Sequence, residues 1–146
     1  MIVYLDTCSL QRPLDDKTQL RIRMEAEAIL SIIDLVETGT LTLLSSDALT
    51  YENGRNPHPT RRQFAREVIA TASKHIAFSD AVEKRAEELN RAGIKTLDSL
   101  HLASAEAGRA DFFCTCDDSF LAKAKQEARG YMTVVSPLAL VEEIEK

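Results

Sequence analysis

Four acidic residues in this chain stand where secondary structure is expected to begin or end. Asp6 closes the apolar run Ile2-Val3-Tyr4-Leu5, and Asp117 follows a second such run, DFFCTC from Asp111 to Cys116. Glu52 lies in the element just after another strand, and Asp98 in the first turn of a helix. All four could face one crevice. Two carboxylates about 4 Å apart repel by roughly 4 kcal/mol at an effective dielectric near 20. A converging set therefore persists only if some members are protonated or a cation is held among them. With no histidine or cysteine obviously in the set, oxygen donors select a hard ion, Mg2+ or Mn2+, which keeps several of its waters. Such a site suits phosphodiester hydrolysis, because the ion lowers the pKa of bound water and stabilises charge on phosphate oxygens. That chemistry requires no nucleophilic side chain, and the chain carries no GxSxG elbow, GxxxxGK[ST] loop or GxGxxG fingerprint.

The elements that would position these acids follow from residue periodicity. Met1–Leu10 opens on β-branched and large apolar residues without polar alternation, the mark of a strand covered on both faces. Ligands in open α/β sheets bind at the carboxyl ends of such strands, where neighbouring connections run in opposite directions. A polar connection from Gln11 to Asp16 leads to a helix over 18–37, with Ile22, Ala26, Ile29, Ile33 and Val36 at helical spacing and Gly39 as its stop. A second strand is expected over 40–45, then a short helix closed by Asn53-Gly54, the loop Asn56-Pro57-His58-Pro59 and a helix over 60–73. Ile76 and Phe78 make a short strand or none. Ser79-Asp80 opens a helix ending at Gly93, and Thr96, as N-cap, opens another ending at Gly108. After DFFCTC come a helix over 118–128 capped by Asp118, a strand over 132–135 and a last helix opened by Ser136-Pro137. Alternating strands and helices predict an α/β fold: a three-layer α/β/α sandwich on a mainly parallel central sheet, with right-handed crossovers. Residues 1–146 read as one domain, without repeat, linker or low-complexity segment.

Composition narrows the function classes. The chain is 45% hydrophobic and 28% charged, which marks a folded protein rather than a disordered tail. No apolar run has the length of a membrane span and no signal peptide is evident, so no membrane association and a cytoplasmic location are expected. Cys8, Cys114 and Cys116 form no even set for a disulfide framework, and His58, His75 and His101 lack paired ligand spacing, which argues against structural zinc. A net charge of -5 is wrong for a protein that coats nucleic acid nonspecifically. It leaves room for a local basic strip, and Arg55, His58, Arg61, Arg62 and Arg66 form one.

Four segments together resemble the PIN-domain nucleases, many of which are VapC-like ribonuclease toxins of toxin–antitoxin pairs. YLDTCSL is similar to the first strand of that family with its leading acid, and Glu52 matches the acid after the second strand. IKTLDSLHLASA resembles the family's helix-borne acid motif, and FFCTCDDSF its strand, Thr-x-Asp and following Phe. The resemblance spans nearly the whole chain and implies a PIN-like fold and a metal-dependent endoribonuclease. It carries the acidic site onto Asp6, Glu52, Asp98 and Asp117. Asp6 and Asp98 would be the primary metal ligands, Glu52 a ligand or the orienter of the attacking water, and Asp117 a ligand through water or to a second ion. Thr7, Ser9, Thr115 and Ser119 are candidates to hold those carboxylates in place. Arg55, Arg61, Arg62 and Arg66 would contact RNA phosphates, positioning the strand rather than reading it. His101 reads as a satisfied histidine between helix and sheet rather than a general acid. The family also implies an antitoxin protein as partner and a homodimer.

Two departures from the family pattern stand out. Cys8 occupies the position where many members have Asn, leaving Thr7 or Ser9 to compensate, and the segment from Arg12 to Arg23, with Asp15 and Asp16, is unlike the toxins. A haloacid-dehalogenase type of phosphatase would want Asp at position 8, and a receiver domain would want a lysine late in the sheet. A non-catalytic PIN-fold module that binds RNA or protein is the competing reading of another kind. Uncompensated repulsion among four retained acids argues against it.

Overall fold

Strands that are apolar on both faces must be covered on both, and the computed structural model, which describes residues Met1–Lys146, shows how. Five strands form one sheet: β1 (Ile2–Leu5), β2 (Thr42–Ser46), β3 (Lys74–Ile76), β4 (Phe112–Cys114) and β5 (Thr133–Val135). Their order is β3-β2-β1-β4-β5 and every pairing is parallel. Eight α-helices connect and flank them: α1 (Thr7–Gln11), α2 (Leu20–Glu37), α3 (Asp47–Gly54), α4 (Pro59–Ile69), α5 (Asp80–Arg91), α6 (Thr96–Ala107), α7 (Asp118–Glu127) and α8 (Pro137–Glu145). This is the α/β/α sandwich that the alternation of elements predicts.

Register fixes the centre of the molecule. Val3 aligns with Leu43 on one side, and Leu5 aligns with Cys114 on the other. β1 is thereby the middle strand, and Val3, Tyr4 and Leu5 are fully buried. The buried stripe of α2, including Ala26, Ile29, Ile32, Ile33 and Val36, follows helical spacing and packs with α8, while α5 packs on α6 and α6 lies against β2 and β3. From β1 the chain proceeds to β2 and β3; from β4 it proceeds to β5 on the opposite side. The direction of winding therefore reverses between β1 and β4, which makes their carboxyl ends the ligand-binding edge of such a sheet.

The structure differs from the periodicity reading in local detail. The segment after Asp6 is the one-turn helix α1 and a 3-10 turn over Arg12–Leu14, because the Asp6 carboxylate accepts from the Ser9 amide and caps that turn. α7 is capped by Asp117, whose carboxylate accepts from the Phe120 amide, rather than by Asp118, which instead receives a two-pronged bond from Arg21 at 2.7 and 2.8 Å. Lys95, not Thr96, holds the N-cap position of α6, with no side-chain capping bond. Polar pairs anchor the segment from Arg12 to Arg23, where Arg12 meets Glu25 at 3.1 Å and Arg61 meets Asp15 at 2.9 Å.

Candidate active site

The acids come from four elements spread along the chain. Asp6 stands at the end of β1, Glu52 on α3, Asp98 in the first turn of α6, and Asp117 at the cap of α7 just past β4. All four line one cleft of about 390 Å³ together with Thr7, Cys8, Lys95, Leu97 and His101. It opens at the carboxyl ends of β1 and β4, where the ladder is prolonged by the Asp6 amide donating to the Cys114 carbonyl at 3.1 Å.

Their environments differ, and so do their charge states. Asp6 is buried, and loss of solvent pushes its carboxyl well above the usual range, against a hydrogen bond from Thr115 that favours the anion. Burial also raises Asp98, helped by the negative charges of Asp117 and Glu52. Glu52 goes the other way. Burial works against its ionisation, but hydrogen bonds from His101 and Thr7 outweigh that and hold the carboxyl below its ordinary value.

A buried chain of hydrogen bonds aims Glu52. Ser46 Oγ accepts from the Leu49 amide, which leaves its own proton for Tyr4 Oη at 2.7 Å. Tyr4 then donates to His101 Nδ1 at 2.6 Å, and His101 Nε2 donates to Glu52 Oε1 at 2.8 Å. Thr7 Oγ1 donates to the same carboxylate oxygen. This assignment satisfies every member with a neutral imidazole, its proton on Nε2. His101 is thus the satisfied histidine between helix and sheet that its position suggests, and the residue that orients Glu52.

The neighbours of the strand-end acids divide their work. Cys8 donates its own thiol proton to Asp6 Oδ1 at 3.1 Å. Its hydrogen bond with Cys116 and its burial push that thiol up, so it stays protonated and able to donate. Ser9 supports Asp6 through its amide and ties α1 to β4 through its hydroxyl, which donates to the Cys114 carbonyl at 3.1 Å. Thr115 accepts from the Asp117 amide at 3.1 Å and so touches both strand-end acids. Ser119 is exposed and lines a minor cavity beside Asp98 and Asp117.

The four arginines are not equivalent. Arg55 lies at the mouth of the adjoining cleft, its guanidinium 5.4 Å from the centre of the Tyr51 ring. Arg61 is engaged by Asp15 and the Leu14 carbonyl, and Arg62 donates to the Asn56 carbonyl at 2.7 Å. Arg66 is exposed on α4 beside Gln63.

The four carboxylates offer oxygen donors, as a hard divalent ion requires, while Cys8 and His101, which also line the cleft, are turned to Asp6 and Glu52 by hydrogen bonds; burial gives Asp6 and Asp98 a need for a counter-charge. Nowhere are three or more His, Cys, Asp or Glu side chains set closely enough to hold an ion by themselves. Mg2+ is ordinarily held by one or two carboxylates, with waters and substrate phosphates completing its shell. The residues fit an ion shared with water and substrate rather than one enclosed by protein.

Residues 3–126 match the family model of the PIN domain. The chain belongs to the PIN-domain family. No curated protein sequence matches it. In fold, this PIN chain is similar to a chain of VapBC2 from Rickettsia felis, solved bound to a DNA fragment from their promoter: TM-score 0.61, 16% identity, covering 93% of this chain and 98% of that one. It is also similar to PAE2754 from Pyrobaculum aerophilum, with TM-score 0.57, 14% identity and coverage of 99% and 98%. No helix of this PIN domain is long and apolar enough to cross a membrane. Beyond the acids, the sequence reading missed two features of the site, the cation of Lys95 in the cleft and the buried Tyr4–His101 relay behind it. Lys95 could have been found from its place three residues before Asp98; Tyr4 lay hidden inside an apolar run.

Proposed function

We propose that the chain is a metal-dependent endoribonuclease that hydrolyses RNA phosphodiester bonds at Asp6, Glu52, Asp98 and Asp117 with Mg2+ or Mn2+. PIN domains are generally nucleases. One observation carries the reading to this chain: four carboxylates from four separate elements line a single cleft at the point where the sheet's winding reverses. A bound divalent ion would activate water and neutralise charge on the phosphate. Asp6 and Asp98, the two acids whose carboxyls burial leaves above their ordinary values, would hold it. Glu52, kept ionised and aimed by His101 and Thr7, orients the attacking water. Asp117, exposed to solvent, assists through water or a second ion. Lys95 lines the same cleft and draws the phosphate in. Of the arginines, Arg55 and Arg66 are the freer to contact RNA phosphates, whereas Arg61 and Arg62 would have to release internal partners.

We further assign the chain to the setting of a toxin held by an antitoxin protein, as a homodimer. The motif resemblance supports this, as does the fold shared with a VapBC2 chain. A non-catalytic PIN module is favoured by one observation, the lack of a ready-made ion cage.

Cleavage of a mixed-sequence labelled RNA separates the two readings, using the native chain, Asp6→Asn and Asp98→Asn with Mn2+, Mg2+ or EDTA. The native chain is expected to cut only with metal, and each variant to lose roughly 100-fold or more. Equal cutting by all three proteins would reject the assignment. No cutting, with no metal binding by calorimetry, would leave the binding module.

A further inference from the structure

We propose that the cleft adjoining the acids is a nucleobase subsite, in which Tyr51 and Phe78 present aromatic faces to an unstacked base of single-stranded RNA beside the bond to be cut. The inference rests on the nuclease reading and deepens it by naming the substrate's form. The cleft has a volume of about 740 Å³, within the range of small-molecule sites. It shares Thr7, Glu52 and Leu97 with the acidic cleft, so a nucleotide seated in one has its phosphate at the other.

Aromatic residues are scarce in this chain, and three of them are exposed: Tyr51, Phe78 and Tyr131. Tyr131 lines neither cleft, and its hydroxyl donates to the Glu106 carbonyl at 2.8 Å. The other two, 50% and 40% exposed, come from separate segments and line the same cleft. Neither contributes to the buried core. Both are held in place. Arg55 donates to the Tyr51 hydroxyl. The Phe78 amide donates to Asp47 Oδ2 at 2.8 Å, and the other oxygen of Asp47 meets His75 Nε2 at 2.7 Å.

The rest of the lining matches a nucleotide. Leu97 and Leu100 add apolar surface, Asn56 and Thr96 add groups that can meet base edges, and Arg55 supplies a cation. The only acid in the lining is Glu52, which belongs to the acidic cleft. Bases in a duplex keep their faces against one another; only loops, bulges and free strands can offer a face to an aromatic ring.

The test is fluorescence anisotropy of a labelled single-stranded RNA octamer in EDTA, where metal-dependent cutting is absent. It compares the native chain with Tyr51→Ala, Phe78→Ala and Tyr51→Phe, alongside a duplex of the same sequence. Each alanine variant is expected to weaken binding roughly 5- to 100-fold, the range for loss of one base–aromatic stack, at unchanged thermal stability. Tyr51→Phe is expected to bind within about twofold of the native chain, and the duplex to bind more weakly than the single strand. Indifference to both alanine substitutions would overturn the subsite and leave the cleft to a protein segment; absence of octamer binding, or equal binding of duplex and single strand, would overturn it too. Aromatic-dependent binding without metal-dependent cutting would reject the nuclease and keep the subsite, whereas cutting with indifferent binding would do the reverse.

Discussion

Replacing Tyr4 with phenylalanine removes one oxygen from the relay that aims Glu52. The ring contacts with Phe113, stacked at 5.2 Å, and His101, edge-on at 5.9 Å, survive, so the loss falls on hydrogen bonds alone. Ser46 Oγ keeps the Leu49 amide as donor, but its own proton loses its acceptor. His101 Nδ1 loses its partner altogether, in a side chain that is 1% exposed. An orphaned buried polar group costs about 1–3 kcal/mol, and a half-satisfied one less, so the variant should be roughly 2–3 kcal/mol less stable. At about 2–4 °C per kcal/mol for a chain of this size, the melting point falls by roughly 4–12 °C. Urea unfolding followed by circular dichroism measures the loss, with an unchanged slope showing that the same surface unfolds. A loss below about 0.5 kcal/mol would refute the assignment of Tyr4 as the donor that fixes the His101 tautomer. A cycle with His101→Ala should also show coupling between the two positions of about 1 kcal/mol.

Three further predictions concern the frame around the site. A β-carbon on Gly108 would stand 2.4 and 2.8 Å from the methyls of buried Leu44, so Gly108→Ala should destabilise by about 1–3 kcal/mol. Gly54→Ala, in helix α3 with open space around it, should cost nothing or stabilise by about 0.5–1 kcal/mol in the same denaturation assay. The hydrogen bond from His75, and next the Phe78 amide, hold the Asp47 carboxyl below its ordinary value. Its stabilising contribution is therefore present above the unfolded carboxylate pKa of about 3.9 and is lost as pH falls through the lower folded value. Urea midpoints across that acid range should fall less steeply in Asp47→Asn than in the native chain.

The strands and the long helices were legible because their residues are sorted by burial. Ile2–Leu5 and Phe112–Cys114 are apolar throughout since both faces are covered, and α2 repeats its apolar residues at the spacing of a helix. Short elements were not legible. α1 has five residues, too few to show a period, and its cause is a single carboxylate capping the turn. β3, Lys74–Ile76, is mostly exposed and carries no alternating pattern. The acids could be picked out by charge at the ends of apolar runs. Their supports could not, because Tyr4 and His101 lie 97 residues apart, and Cys8 looks like the loss of a hydrogen-bonding group until its thiol is seen donating to Asp6. Sequence likewise counts arginines without showing that Arg61 is already bonded to Asp15.

The placing of β1 between β2 and β4 bears on how the protein is made. β1 leaves the ribosome well before the neighbour that completes its crevice, which lies more than a hundred residues downstream. At about 5–20 residues per second, synthesis of the stretch from Asp6 to Asp117 takes roughly 6–22 s. Throughout that time the nascent chain holds only part of its acid set, and β4 cannot dock. A chain that cuts RNA would thus stay harmless to the messenger and ribosome producing it until β4 had emerged.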